Sequence, residues 1–541
     1  MYDLLKYSGR LVIYMQLLEQ IERNRALFPD TVAVVYKNHS LTYEELGIYS
    51  DTLVEWICKR FPTISTPIIV YGHMEIEIFI YFLTCSKIGL PYVPVDSSTG
   101  KERLKEIVNA VKPELVLCAA DIPELFNESD IDLICSSDLR SPSFYQVMEE
   151  RLLLKDRFIP RMKEKDLYYI LFTSGSTGSP KGVMITYGNL NHFINWALKE
   201  LSFQQGSRIM NHAPYTFDLS VLPLYIALAT GGTVVNYDKS DFFNYRYFIR
   251  KLKEDAVRIW ISTPSFLEMF LSVQDFCSRL LPDIQTFIFC GEVFSKSTYL
   301  KLANAFPDSL IYNSYGPTET TVAVAATLIN KDYASKYETL PVGKINEYIV
   351  LMPDNNDSNQ KQEIVIRGPT VCEGYINSEH LNRTQFIDLD YGIGPTKAYK
   401  TGDFGFVKDN LLFYVGRMNN QIKYRGYRIE INEIEGNIRL YPGVENVCVL
   451  PIYDDSLLKC ISILAIIRTH TESEAIEVKS NLKHFLAERL PDYMVPSHLF
   501  FVNEFPTTLN GKMDRNKLYD KYRNIIGGGE ERVVRSCRVS P

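Results

Sequence analysis

The sequence predicts an α/β protein, with a large N-terminal α/β domain of layered sheets and a small α+β domain near the C-terminal end. Two observations carry this. Short apolar strands alternate with helical stretches in the order "PIIVYG", "IFIYFLTCSKIG", "YVPVD", "RLKEIVNAV", "ELVLC", a texture that continues to about residue 345. Such alternation is the pattern of parallel strands covered by helices. From about residue 420 the pattern changes to three strands, "VENVCVLPIY", "KCISILAIIR" and "SHLFFVNEF", with helices near 431–440, 476–490 and 514–523.

Each element has a local reason. "LTYEELGIYSDTLVEWI" (41–57) reads as an amphipathic helix, and Thr42 and Glu45 stand at capping-box spacing. The apolar region 67–95 carries His73, Glu75, Glu77 and Lys87, which break any membrane span. Beyond residue 345, "EIVIRGPTVCEGYI" and "LLFYVGR" read as a strand-rich module, and "MPDNNDSNQKQ" (352–362) as a hairpin loop within it. The expected divisions are 1–418, 419–526 and a disordered tail, 527–541, that opens "GGGEERVVRSC".

Composition bounds the function. A chain of 541 residues is long enough for about three or four units of ~150 residues. A net charge of −7 argues against nucleic acid as the main partner. None of the ten cysteines forms a C-x-x-C pair, and most lie in apolar runs such as "TFIFC". They read as reduced core thiols rather than zinc ligands or disulfides. With no evident signal peptide, the expectation is a soluble cytoplasmic protein without an integral membrane segment.

The stretch "LFTSGSTGSPKG" (171–182) is too rich in glycine and hydroxyl for an ordinary turn. The strand "YYILF" fixes one end of it and Pro180 restricts the other. Successive N–H groups and hydroxyls beside Lys181 can wrap an anion, phosphate above all. It is neither a Walker A loop, since Lys181 is followed by Gly182, nor a Rossmann fingerprint. Composition and spacing stop at a polyphosphate loop of another kind.

Four further clusters follow: "NSYGPTETT" (313–321), "YKTGDFG" (399–405), "GRMNNQIKYRGYRIEINEIE" (416–435) and "NGKMDR" (510–515). Each alone is an ordinary turn or charged face. Together, in this order, they resemble the adenylate-forming enzymes over roughly residues 15–525. The resemblance implies a distorted β-barrel for the strand-rich module, a mobile C-terminal domain, and use of ATP and Mg²⁺. It implies that Thr173, Ser174, Gly175, Ser176, Thr177, Gly178 and Lys181 hold the β- and γ-phosphates. Asn313, Ser314, Tyr315, Gly316, Pro317 and Thr318 resemble the adenine and α-phosphate site, and Glu319 the Mg²⁺-associated glutamate. Asp403 resembles the ribose acceptor, with Tyr414, Val415, Gly416 and Arg417 beside the nucleotide. Lys512 resembles the catalytic lysine between substrate carboxylate and α-phosphate, and Asn419 stands at the hinge.

In "NHAPYTFDLSV" (211–221), Asp218 falls where amino-acid-activating members keep a carboxylate for the α-ammonium, although Asp is also a preferred helix cap. "VYGHME", "STPSFLEM", "FIFCGEVF" and "TTVAVA" resemble the members that act on D-alanine in teichoic acid D-alanylation. In that comparison Cys290 and Val322 narrow the side-chain pocket. The implied partners are a small amino acid, D-alanine first, and a phosphopantetheinylated carrier protein. Two other readings stay open: an adenylation enzyme of a nonribosomal peptide pathway using another small amino acid, and a non-catalytic adenylate-binding scaffold.

Overall fold

The structure is a computed structural model. It describes residues 6–7, 10–11, 16–127, 131–154, 162–175, 179–273, 275–353, 362–390, 395–417, 421–454, 459–469, 472–502, 504–506 and 513–526. They group into two compact units. One lies within Met1–Ser98, Leu104–Thr173 and Lys181–Asn419, the other within Thr99–Arg103, Ser174–Pro180 and Asn420–Pro541.

The first unit is built on two large sheets. One runs in the order Gly374–Tyr375, Lys181–Thr186, Leu167–Thr173, Tyr92–Val95, Ile68–Tyr71, Leu115–Cys118, Asp132–Cys135. Its last five strands are parallel, and the first two are joined antiparallel. Successive residues of Ile68–Tyr71 divide between two cores, Ile68 and Val70 in one, Ile69 and Tyr71 in the other. A strand buried on both faces has no polar side to show, which is why it reads as an unbroken apolar run.

The other sheet runs Ala325–Leu328, Leu310–Tyr315, Thr286–Phe289, Ile259–Ser262, Arg208–Asn211, Thr233–Asn236, Val32–Tyr36, His39–Thr42, parallel except at its two ends. Helices Tyr187–Glu200 and Val221–Thr230 contribute Leu190, Phe193, Tyr225 and Ile226 to the core that also takes residues of both sheets. The helix expected over 41–57 is Tyr43–Arg60, with the capping box present in full: Thr42 accepts from Glu45 N, and Glu45 accepts from Thr42 N.

The strand-rich module is antiparallel, in the order Gly343–Lys344, Leu411–Arg417, Pro395–Lys408, Gln362–Arg367, Ile349–Pro353, with Phe386–Asp390 also on Pro395–Lys408. Pro353 pairs directly with Gln362, so a hairpin spans the polar stretch, whose residues 354–361 lie outside the described set.

In the second unit, hairpin Gln421–Tyr424/Tyr427–Glu430 leads into helix Ile431–Arg439. Strands Asn446–Asp454 and Lys459–Arg468 pair antiparallel, and His498–Val502 adds in parallel after helix Glu472–Ala487. Helix Arg515–Ile526 packs Leu518 and Tyr522 against Cys448 and Leu450. The expected hinge Asn419, the lysine Lys512 and the tail 527–541 lie outside the described residues.

Candidate active site

Two of the expected site segments of the first unit follow directly on the ends of strands of the largely parallel sheet, the usual place for a ligand in such sheets. Thr286–Phe289 runs directly into Cys290, and Leu310–Tyr315 into Gly316. At Gly316 a Cβ would stand 2.5 Å from Ala323 Cα and 2.8 Å from the Val322 carbonyl oxygen. Only glycine lets the chain fold back there. The fold-back places Thr321 and Val322 at φ of +59° and +69°. Two β-branched residues in that region are strained. Thr321 is held by its hydroxyl, which donates to the Thr370 carbonyl at 2.8 Å. The outcome is a direct contact between two residues singled out from sequence: Cys290 Sγ donates to the Val322 carbonyl at 3.8 Å, both side chains being buried.

Asp218 opens the short turn Asp218–Ser220 ahead of helix Val221–Thr230. It does not act as a helix cap: the cap positions are Phe217 and Ser220. Its Oδ2 accepts the Thr318 hydroxyl at 2.6 Å. A carboxylate is thereby tied to the "YGPTE" turn 100 residues away.

The residues expected on the nucleotide side are equally tied. Asn313 Nδ2 donates to the Pro341 carbonyl at 2.8 Å, while its buried Oδ1 has no partner among the described residues. Ser314 donates to the Phe289 carbonyl at 2.8 Å. Asp403 is fully buried, and both of its oxygens are engaged: Oδ2 by Tyr315 OH at 2.8 Å, Oδ1 by Arg417 Nε at 2.5 Å. Arg417 is its antiparallel partner across the two longest strands of the module. Burial first, then the Asp403 charge, pushes the Tyr315 phenol well above its ordinary range, so Tyr315 remains a neutral donor. The rings of Tyr315 and Tyr414 lie 6.3 Å apart, whereas Val415 is exposed.

Glu319 is fully buried, and its Oε1 accepts the Tyr375 hydroxyl at 2.7 Å. No cluster of three or more His, Cys, Asp or Glu suited to a metal occurs among the described residues. One carboxylate does not make a resident metal site. It does suit Mg²⁺, which keeps several waters and is held through one or two carboxylates together with substrate phosphates.

The loop expected to hold phosphate divides between the units. Thr173 ends one strand directly opposite Lys181, and its buried hydroxyl has no partner among the described residues. Within the second unit, Ser174 donates to the Arg428 carbonyl at 2.7 Å and Gly175 N to Glu433 Oε2 at 2.9 Å. Arg103 holds the other oxygen of Glu433 at 2.8 Å. A backbone N–H of this loop thus donates to a carboxylate of the protein itself. Ser176, Thr177 and Gly178 lie outside the described residues.

Two residues escaped sequence reasoning. Tyr375, in "CEGYI", reads only as a strand residue. His212 is stacked on Phe266 at 3.7 Å with its buried Nε2 unpartnered among the described residues, and burial lowers its pKa to about 3. The unpartnered atom is a structural signal with no trace in the sequence.

Comparison with known proteins defines the class. Residues 21–376 match the AMP-binding enzyme family, and residues 433–512 match the AMP-binding enzyme C-terminal domain. The chain belongs to the AMP-binding enzymes. It is 37% identical over 509 residues to the D-alanine–D-alanyl carrier protein ligase of Bacillus cytotoxicus, covering 93% of this chain and 99% of that protein. It is 38% identical over 515 residues to the ligase of the same name from Bacillus anthracis, with the same coverage. Among solved structures, the Vibrio cholerae adenylation domain AlmE, in complex with glycyl-adenosine-5'-phosphate, shares the fold at TM-score 0.80 and 19% identity, covering 96% of this chain and 99% of that one. An NRPS protein containing adenylation and PCP domains shares it at TM-score 0.78 and 21% identity, covering 94% of this chain and 84% of that one.

Proposed function

We propose that this enzyme activates D-alanine with ATP as an aminoacyl-adenylate and transfers the aminoacyl group to the phosphopantetheine thiol of a carrier protein. The observation that carries the reading is Asp218. Its carboxylate is tied to Thr318 at 2.6 Å, on the turn that follows the nucleotide motif. An unpaired carboxylate is costly in a pocket for a fatty acid. Beside an amino acid it meets the α-ammonium, and Cys290 and Val322, in contact through Sγ and the carbonyl, would narrow the side-chain end around a small group. The relatives named D-alanine–D-alanyl carrier protein ligase, matched over 93% of this chain, support the choice of amino acid and partner.

In this reading Thr173, Ser174, Gly175, Ser176, Thr177, Gly178 and Lys181 hold the phosphates, Asn313 to Thr318 and Tyr414 to Arg417 hold adenine and the α-phosphate region, and Asp403 accepts from the ribose. A carboxylate must attack an anionic phosphorus, and Lys512 lowers the repulsion between them in the transition state. Glu319 would hold Mg²⁺ together with the phosphates, and the ion would supply neutralisation of charge on the departing pyrophosphate. Rotation at Asn419 exchanges Lys512 for the segment near Arg425 between the two half-reactions. No helix among the described residues is long and apolar enough to cross a membrane. Work in the cytoplasm, where ATP is supplied, is part of this reading.

The test is carrier loading. Incubation with ATP, Mg²⁺, D-alanine and a phosphopantetheinylated carrier protein should give a thioester cleaved by hydroxylamine. No acylated carrier with any small amino acid, under conditions where adenylate forms, overturns the transfer step.

A further inference from the structure

We propose that Tyr375 is a positioning residue that links the lysine of the phosphate loop to the metal-associated carboxylate, and that it sets how strongly Mg²⁺ reinforces nucleotide binding. The proposal rests on the reading of Glu319 as that carboxylate.

Tyr375 touches both groups. Its hydroxyl donates to Glu319 Oε1 at 2.7 Å. Its ring carries Lys181 Nζ 5.3 Å from the centroid, a cation over an aromatic face. Strand register explains the meeting: Tyr375 pairs with Val183, and Lys181 lies two residues before Val183 on the same face. Both ends of this link are buried.

The tyrosine is itself held fast. The Asn382 side chain accepts from Tyr375 N at 2.7 Å and donates to Tyr375 O at 2.9 Å. The preceding Gly374 has φ +134°, and a Cβ there would stand 2.8 Å from Asn382 Oδ1, so this clamp needs glycine beside it. A phenol is not needed to fill this core, since Phe would pack as well. What the hydroxyl adds is a charge-assisted bond that fixes the carboxylate's orientation. Partners that orient a metal-binding carboxylate typically change metal affinity by about 10–100-fold when lost.

The experiment uses the full chain and measures equilibrium binding of a non-hydrolysable ATP analogue with and without Mg²⁺. In Tyr375→Phe the Mg²⁺-dependent gain in affinity should shrink by about tenfold or vanish, while affinity without Mg²⁺ stays as in wild type. Tyr399→Phe removes a hydroxyl 3.3 Å from Tyr375 OH but leaves the Glu319 bond, and should keep the full gain. Glu319→Gln should lose it. An unchanged gain in Tyr375→Phe, with the gain lost in Glu319→Gln, overturns this proposal and leaves the Glu319 reading intact. A gain kept in Glu319→Gln overturns both, and equal loss in Tyr399→Phe shows that the effect does not run through the Tyr375–Glu319 bond. Should Tyr375→Phe fail to fold, Asn382→Ala loosens the same tyrosine from a half-buried position and should lower the Mg²⁺ gain in the same direction; a full gain there overturns the proposal.

Discussion

Tyr315 donates its hydroxyl to Asp403 at 2.8 Å, joining two sequence motifs that lie 88 residues apart. One ends a parallel strand of the eight-stranded sheet, the other lies in the antiparallel module, and both are buried. Tyr315→Phe removes one of the donors on this carboxylate and leaves Arg417 on the other oxygen. A hydrogen bond to a charged group is worth about 1.5–3 kcal/mol. The ATP KM should therefore rise by about tenfold or more, with the amino-acid KM unchanged. Steady-state pyrophosphate exchange, varied in each substrate separately, checks the split.

Asp218→Asn should act on the other substrate. Loss of a charge-assisted contact to an ammonium, about 1.5–3 kcal/mol, raises the amino-acid KM roughly ten- to a hundredfold. The ATP KM should stay near wild type, since the Asn side chain still accepts from Thr318. An unchanged amino-acid KM would make Asp218 a purely structural partner of Thr318.

How much of this was legible beforehand depends on the reach of each interaction. The capping box of Thr42 and Glu45 spans three residues and could be read from spacing alone. The phosphate loop and the "YGPTE" turn were legible because each packs its chemistry into one short stretch. Asp218–Thr318, Tyr315–Asp403 and Tyr375–Glu319 were not, because each pairing is made only when separate turns and sheets pack together, across 56 to 100 residues. Thr321 and Val322 misdirect local reasoning altogether. β-Branched residues favour extended backbone, yet the fold-back on Gly316 holds both at positive φ.

Lys512→Ala should slow adenylation by on the order of 10²–10³-fold, as removal of one charge-stabilising donor does. Thiol transfer from chemically supplied aminoacyl-adenylate should survive far better, because that step does not use the lysine. Rapid-quench measurement of the two half-reactions separates them, and equal loss in both contradicts the assignment.

Cys290→Ala removes the sulfur that contacts the Val322 carbonyl and opens space at the side-chain end of the pocket. The variant should accept larger or oppositely handed amino acids while its ATP KM holds. A substrate panel identical to that of wild type would show that Cys290 only packs the core.

The central claim is activation of a small amino acid, and ATP–pyrophosphate exchange on the wild-type chain tests it most directly. The assay is run with D-alanine, L-alanine, glycine, serine and β-alanine in parallel. The account predicts exchange that depends on added amino acid and is fastest, by kcat/KM, with D-alanine. Absence of exchange with all five would contradict it.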